Sequence, residues 1–160
     1  MDEFKSVGKL IFDPVPITGK AEKMFKPFWA IIVTNDDVDA YYRWFLQKRF
    51  NLILQKPAWG PHITIADGQP TGKKGTWDIV KSQYNNLDIE FTYDNFPRTN
   101  ARHWWLKAHC LLASEIRSKL QVQRENLRFP LHLTLGMPIP RHEQHSIYIH
   151  KIETQGFSGT

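Results

Sequence analysis

Along the chain the hydrophobic positions change period several times, and each change marks an element. "FWAIIV", Phe28 to Val33, is an apolar run of β-branched and aromatic residues, as expected of a central strand. In "TNDDVDAYYRWFLQKRF" the side chains of Thr34, Asn35 and Asp36 are suited to cap a helix. Val38, Tyr41, Tyr42, Phe45 and Leu46 then recur at helical spacing. "HITIA" reads as a strand reached through Gly60-Pro61. "TGKKGTWDIV" is a Gly- and Lys-rich connection that runs into a short helix from Thr76 to Tyr84. "LDIEFTYDNF" alternates as a strand does, and "RHWWLKAH" is another. Leu111, Leu112, Ile116 and Leu120 of "LLASEIRSKLQVQ" share one helical face. "LHLTLG" and "HSIYIHKIET" are the last predicted strands, and residues 154–160 read as a mobile tail.

The strands "HITIA" and "LHLTLG" each follow a strand–helix pair, 70 residues apart. This predicts an α/β (α+β) fold with two similar lobes in one domain, residues 1–160. The lobes fall at roughly 28–95 and 96–152. A chain of 160 residues can bury a sizeable core without staples.

What the two strands carry changes the picture further. In "WGPHITIADG" and in "FPLHLTLGMP" the core is apolar-His-apolar-Thr-apolar: His62 with Thr64, and His132 with Thr134. Strand side chains at i and i+2 share a face. Each strand therefore offers one imidazole and one hydroxyl together, while Ile63, Ile65, Leu133 and Leu135 anchor the other face. A lone histidine in an apolar strand is usually a satisfied core residue. Two matching strands would put that cost of buried polar groups in two places. Two such strands facing one cleft suit in-line displacement at phosphorus. One imidazole takes a proton from the attacking oxygen and the other protonates the leaving oxygen, because histidine titrates at about 6.5. The hydroxyls can donate to the non-bridging oxygens as charge builds there. The sequence leaves open which histidine is base and which is acid. Such a site needs no metal, and no metal-ligand spacing is evident. His142, His145 and His150 read as surface histidines.

The "PHITI" and "LHLTL" stretches resemble the two signatures of the two-histidine (2H) phosphoesterases. The segment from "FPRT" through a strand and a helix to "FPLHLTLG" resembles the approach to that superfamily's second signature. The likeness covers roughly Phe28 to Ile152. It implies a bilobal fold, with two pseudo-symmetric lobes of antiparallel sheet, helices outside and a central cleft. It also implies a phosphoric diester hydrolase with no cofactor, using His62, Thr64, His132 and Thr134. With its "SVGKLIFDPVP" leader, the basic, aromatic-rich chain most resembles the phage anti-CBASS nucleases. That likeness implies a cyclic di- or trinucleotide messenger as substrate, cleaved at its 3′-5′ bonds. RNA ends bearing a 2′,3′-cyclic phosphate are the alternative substrate, and a nucleotide-binding sponge without turnover is the alternative function.

Composition bears on partners. The net charge is +5 and aromatics make up 13% of the chain, with six tryptophans, which favours an anionic ligand with stacking bases. Arg124 and Arg128, just before the second motif, can grip phosphates if they rim the cleft. Lys73 and Lys74 read as a surface turn. Trp29, Trp59 and Trp105 can serve as stacking platforms or as core. Trp104 and Trp105 are neighbours on a strand, so at most one of them reaches the cleft. Cys110 is the single cysteine, in an apolar setting, and reads as buried and inert. That usage, with no apolar leader and no membrane-length run, predicts a cytoplasmic protein, in the host bacterium if phage-encoded. No membrane or obligate protein partner is expected.

Overall fold

The computed structural model describes residues 3–15, 28–57, 59–67, 74–100, 102–121 and 131–140. These form eight strands and three helices, an α+β fold. In chain order they are β1 (Glu3–Phe12), β2 (Trp29–Thr34), α1 (Asp36–Phe50), β3 (Leu54–Gln55), β4 (His62–Asp67), α2 (Lys74–Tyr84), β5 (Asp88–Asp94), β6 (Arg98–Thr99), β7 (Trp104–His109), α3 (Leu111–Lys119) and β8 (His132–Pro138). The strand expected in "HSIYIHKIET" and the tail at 154–160 lie outside the described residues. No helix among the described residues is long and apolar enough to cross a membrane.

All the pairings are antiparallel. The strands run β3-β8-β4-β2-β1-β5-β7-β6, and a further β7–β8 pairing closes six of them, β8-β4-β2-β1-β5-β7, into a barrel. β1 was not expected from the sequence, yet it joins β2 to β5 and closes the ring. Its alternation is visible in retrospect. Gly8, Leu10 and Phe12 are buried, while Val7 and Lys9, on either side of Gly8, are exposed. Gly8 lies so close to Ile32 and Val33 that any side chain there would strike β2.

Local chemistry sets the helix ends. Asn35 is the N-cap of α1, its side chain accepting from the Val38 N–H at 3.4 Å. Asn51 ends that helix in the left-handed conformation. Cys110 caps α3: its Sγ accepts from the Ala113 N–H at 3.4 Å. Burial pushes its thiol up, so it stays protonated and inert, as expected.

One face of the sheet builds the core. Leu10, Phe12, Ala30, Ile32, Ile63, Ile65, Phe91, Leu106, Leu133 and Leu135 pack with Val38, Tyr42 and Leu46 of α1, Trp77 and Val80 of α2, and Ala113 and Ile116 of α3. A six-stranded barrel has no room for helices inside. The helix-covered face is therefore the outer one, and the opposite face lines the barrel.

The pairing has an internal two-fold pattern. β4 corresponds to β8, β2 to β7 and β1 to β5. The correspondence extends to irregularities. Between β2 and β4, Ile31 pairs with Thr64 but Ala30 with Ala66, so Ile65 is an extra residue. Between β7 and β8, Trp105 pairs with Thr134 but Trp104 with Gly136, so Leu135 is extra. Each bulge falls on the residue after a motif threonine. By pairing, the two halves of the barrel run from 3 to 67 and from 88 to 138.

Candidate functional site

Adjacent antiparallel strands bring the two His-Thr motifs together. His62 pairs with Thr134 and Ile63 with Leu133. The next step of that register sets Thr64 opposite His132. The flanking strands extend the array. Val33 pairs with His62 and Ile31 with Thr64 on one side. Trp105 pairs with Thr134 and Lys107 with His132 on the other. The barrel-lining face thus carries two rows, Val33-His62-Thr134-Trp105 and Ile31-Thr64-His132-Lys107. Neighbouring positions in a row are about one strand spacing apart, ~4.8 Å. The local two-fold passes between Ile63 and Leu133 and exchanges the two motifs.

The surroundings of the histidines differ. Gly60 has φ 71°, a left-handed conformation that suits glycine. This turn delivers the Gly60 carbonyl to the His62 ring, with Nδ1 and the oxygen 2.7 Å apart. A carbonyl only accepts, so Nδ1 carries the proton and Nε2 keeps its lone pair. The turn is itself tied to β2, because the Thr34 N–H and hydroxyl both donate to the Pro61 carbonyl at 3.1 Å. His62 is 7% exposed. Burial holds its imidazole below the usual histidine range. The Gly60 bond pulls the other way, and the charge of His132 adds to the lowering. His132, Thr64 and Thr134 are half-buried.

Behind the motifs, each bulge is held by an arginine from a helix. Arg117 of α3 donates from Nε to the Ile65 carbonyl at 3.0 Å and from Nη2 to the Thr64 carbonyl at 3.2 Å. Arg43 of α1 donates from Nη2 to the Leu135 carbonyl at 3.2 Å and from Nη1 to the Leu54 carbonyl at 2.6 Å. Its Nε binds buried Asp39 at 2.7 Å. Each helix thus clamps the motif strand of the opposite half. Bulges bend strands and re-aim side chains; these two fix the strands just beyond Thr64 and Thr134.

The tryptophans separate. Trp105 is half-buried on the lining face, with its ring edge-on to His132 at 6.2 Å between centroids. Trp104 packs against the core and against Phe50, so only one of the pair reaches the site, as expected. Trp59 is 7% exposed and packs edge-on to His62 at 5.4 Å and on Trp29 at 4.8 Å. In this arrangement Trp59 walls in His62 and offers no free stacking face. Trp29 is half-buried behind it. The indole N–H groups of Trp29 and Trp59 are buried without a hydrogen-bond partner. Arg124, Arg128, Lys73, His142, His145 and His150 lie outside the described residues, and so does the side chain of Lys74.

Three positions were not singled out from sequence. Arg43 and Arg117 sit in helices whose apolar spacing drew attention first, and their targets depend on tertiary structure. Lys107 did carry a signal, being two residues from Trp105 on a strand. Among the described residues one group could hold a metal: Glu3, Asp94 and His109 bring ligand atoms within 4.8 Å of one another. It comes from three strands, so no sequence spacing announces it. His109 and Glu3 already lie 3.7 Å apart, and Asp94 lies 3.8 Å from Arg98.

No family model, curated protein or solved structure matches this chain.

Proposed function

We propose that the chain is a phosphodiesterase of the two-histidine type, its two half-barrels acting as lobes around a central cleft. The observation that carries this reading is the β4–β8 register. It sets two imidazoles and two hydroxyls on one face as cross-strand His-Thr pairs. In the proposed reaction a ribose 2′-OH attacks the adjacent phosphorus. Nε2 of His62, unprotonated at neutral pH, takes the hydroxyl proton. His132 gives a proton to the departing 5′ oxygen as the P–O bond breaks. The product is a 2′,3′-cyclic phosphate, which water can open with the two roles reversed. Thr64 and Thr134 donate to the non-bridging oxygens, where charge grows in the transition state. The quartet provides base, acid and donors without calling on a metal.

The proposed substrate is a cyclic di- or trinucleotide messenger, and the setting a phage enzyme evading a bacterial defence. The basic chain, Trp105 beside His132 and the resemblance of the motifs support it. The test is a substrate panel in excess chelator with products identified by mass: cyclic dinucleotides, cyclic trinucleotides, linear RNA and RNA with a 2′,3′-cyclic end. Linearisation of a cyclic oligonucleotide, and resistance of its 2′-deoxy analogue, is expected. Preference for the RNA end over every cyclic oligonucleotide would overturn the substrate. Ligand recovered intact after denaturation would overturn the enzyme reading in favour of a sponge.

A further inference from the structure

The barrel-lining face carries four described cations on β1, β6 and β7: Lys5, Lys9, Arg98 and Lys107. Three have a carboxylate within 4 Å. Lys5 lies 3.4 Å from Glu90, Lys9 3.9 Å from Asp88 and Arg98 3.8 Å from Asp94. Among the described residues Lys107 has none, and no hydrogen bond holds its ammonium. Asp94 is one register step beyond the β5–β7 pairs and so near Lys107, but its carboxylate is within ion-pair range of Arg98 instead. Lys107 is nevertheless half-buried, unlike Lys5 and Lys9, which are more than half exposed. A lysine with no carboxylate in ion-pair range is free to take an anion from solution.

Its position says which anion. Lys107 pairs directly with His132. Its two-fold counterpart is Val33, which pairs with His62. The charge therefore stands on one side only of the duplicated His-Thr quartet, as does Trp105, whose counterpart is Ile31. A lysine arm is long enough to reach over a neighbouring strand position, ~4.8 Å away. The space between His132 and the threonine hydroxyls is therefore within reach of the ammonium. Lysine binds phosphate as a flexible point charge, which suits a site whose directional donors are already the two threonines.

We infer that Lys107 is a substrate-binding residue, the fixed countercharge for an anionic phosphoryl group seated on the His132 side of the quartet. The inference rests on the proposed function only in taking phosphate as the ligand. It makes the site asymmetric in charge: the His62 side is walled by Val33 and Trp59, and the His132 side is closed by the substrate's own negative charge.

The test is titration of the full chain with inorganic phosphate, following the NMR signals of the His62 and His132 rings. The wild type should show saturable shifts at both rings. Lys107→Met should weaken phosphate about tenfold or more, the scale of one charge-assisted bond. Lys107→Arg should stay within about threefold of wild type, because the charge is kept. Lys5→Met, which removes a paired and exposed lysine from the same face, should leave the affinity unchanged. An unaltered amide spectrum of Lys107→Met shows that it folds, and Lys107→Arg carries the test if it does not. No ring shifts in the wild type would overturn the inference, as would equal affinity in Lys107→Met or equal loss in Lys5→Met. Turnover separates this from the enzyme reading. Phosphate binding that depends on Lys107, with no diester cleaved, leaves the anion site standing and removes the enzyme. Cleavage with kcat and KM untouched by Lys107→Met keeps the enzyme and removes Lys107.

Discussion

The two halves of the barrel carry the same motif on the same register, and they treat it differently. In the first half His62 is buried, pinned at Nδ1 by the Gly60 carbonyl and flanked by Val33 and Trp59. In the second half His132 is half-exposed, flanked by Lys107 and edge-on to Trp105. The backbone is nearly duplicated, down to a bulge one residue past each threonine and an arginine behind each bulge. The difference teaches that one motif can be given two unlike surroundings. Environment alone can push two identical groups apart, and pairs so separated are candidates for opposite roles in proton transfer.

The hardest break in this comparison is removal of either ring. His62→Ala and His132→Ala should each lower turnover of the cleaved substrate by about 10²–10⁴-fold, the range for a positioned acid or base. Binding should survive, as measured by calorimetry. Near-normal turnover in one variant would mean that its half is structural only.

Next come the hydroxyls. Thr64→Val and Thr134→Val keep the side-chain shape. Each should lower kcat by up to about 10²–10³-fold, with a smaller change in KM, because the bond strengthens as charge develops. Steady-state kinetics separate this from ground-state binding, which would move KM alone.

The arginines test whether the duplicated clamps are equivalent. Arg117→Ala leaves the Thr64 and Ile65 carbonyls without their donor and should destabilise by about 1–3 kcal/mol. Arg43→Ala strips the same support from Leu135 and also leaves Asp39 buried, with Lys56 at 3.7 Å as its remaining cation. That variant should cost about 3–5 kcal/mol. Denaturant unfolding of both would show the order, and equal losses would contradict the reading of Asp39.

How much of this could be seen beforehand depends on which interactions set it. The His-x-Thr strands were legible because period-2 alternation is local. The first helix was legible through apolar spacing and its cap and the third through apolar spacing, although Leu111 of the expected face is exposed; the second begins two residues before the expected Thr76. β1 was passed over because "SVGKLIFDPVP", residues 6–16, read as a leader, and its partners on both sides come from distant segments. The clamping arginines, the burial of Trp59 and the contrast between Val33 and Lys107 are all matters of register across strands. No window of sequence holds both sides of such a pair. Gly60 stood next to the first motif, yet its carbonyl acts on His62 only through a left-handed turn that the letters "WGPH" do not announce.

The smallest expected effect is on pH dependence. Burial lowers the His62 value in the folded chain, while the unfolded chain keeps about 6.5. Below about pH 6.5 the unfolded state takes up a proton that folded His62 still refuses, so stability should fall as pH drops through that window. It should level off once folded His62 is protonated. His62→Gln should remove this component, which thermal unfolding between pH 5 and 7.5 would show, within the ordinary histidine range.

The account turns on His62 and His132 being the same residue in two surroundings, with His62 held neutral. Long-range ¹H–¹⁵N NMR of the imidazole nitrogens reads this directly. At pH 7 the account predicts His62 as the neutral Nδ1–H form with Nε2 unprotonated, staying so to below pH 6.5. His62 found protonated at pH 7, or carrying its proton on Nε2, would contradict it.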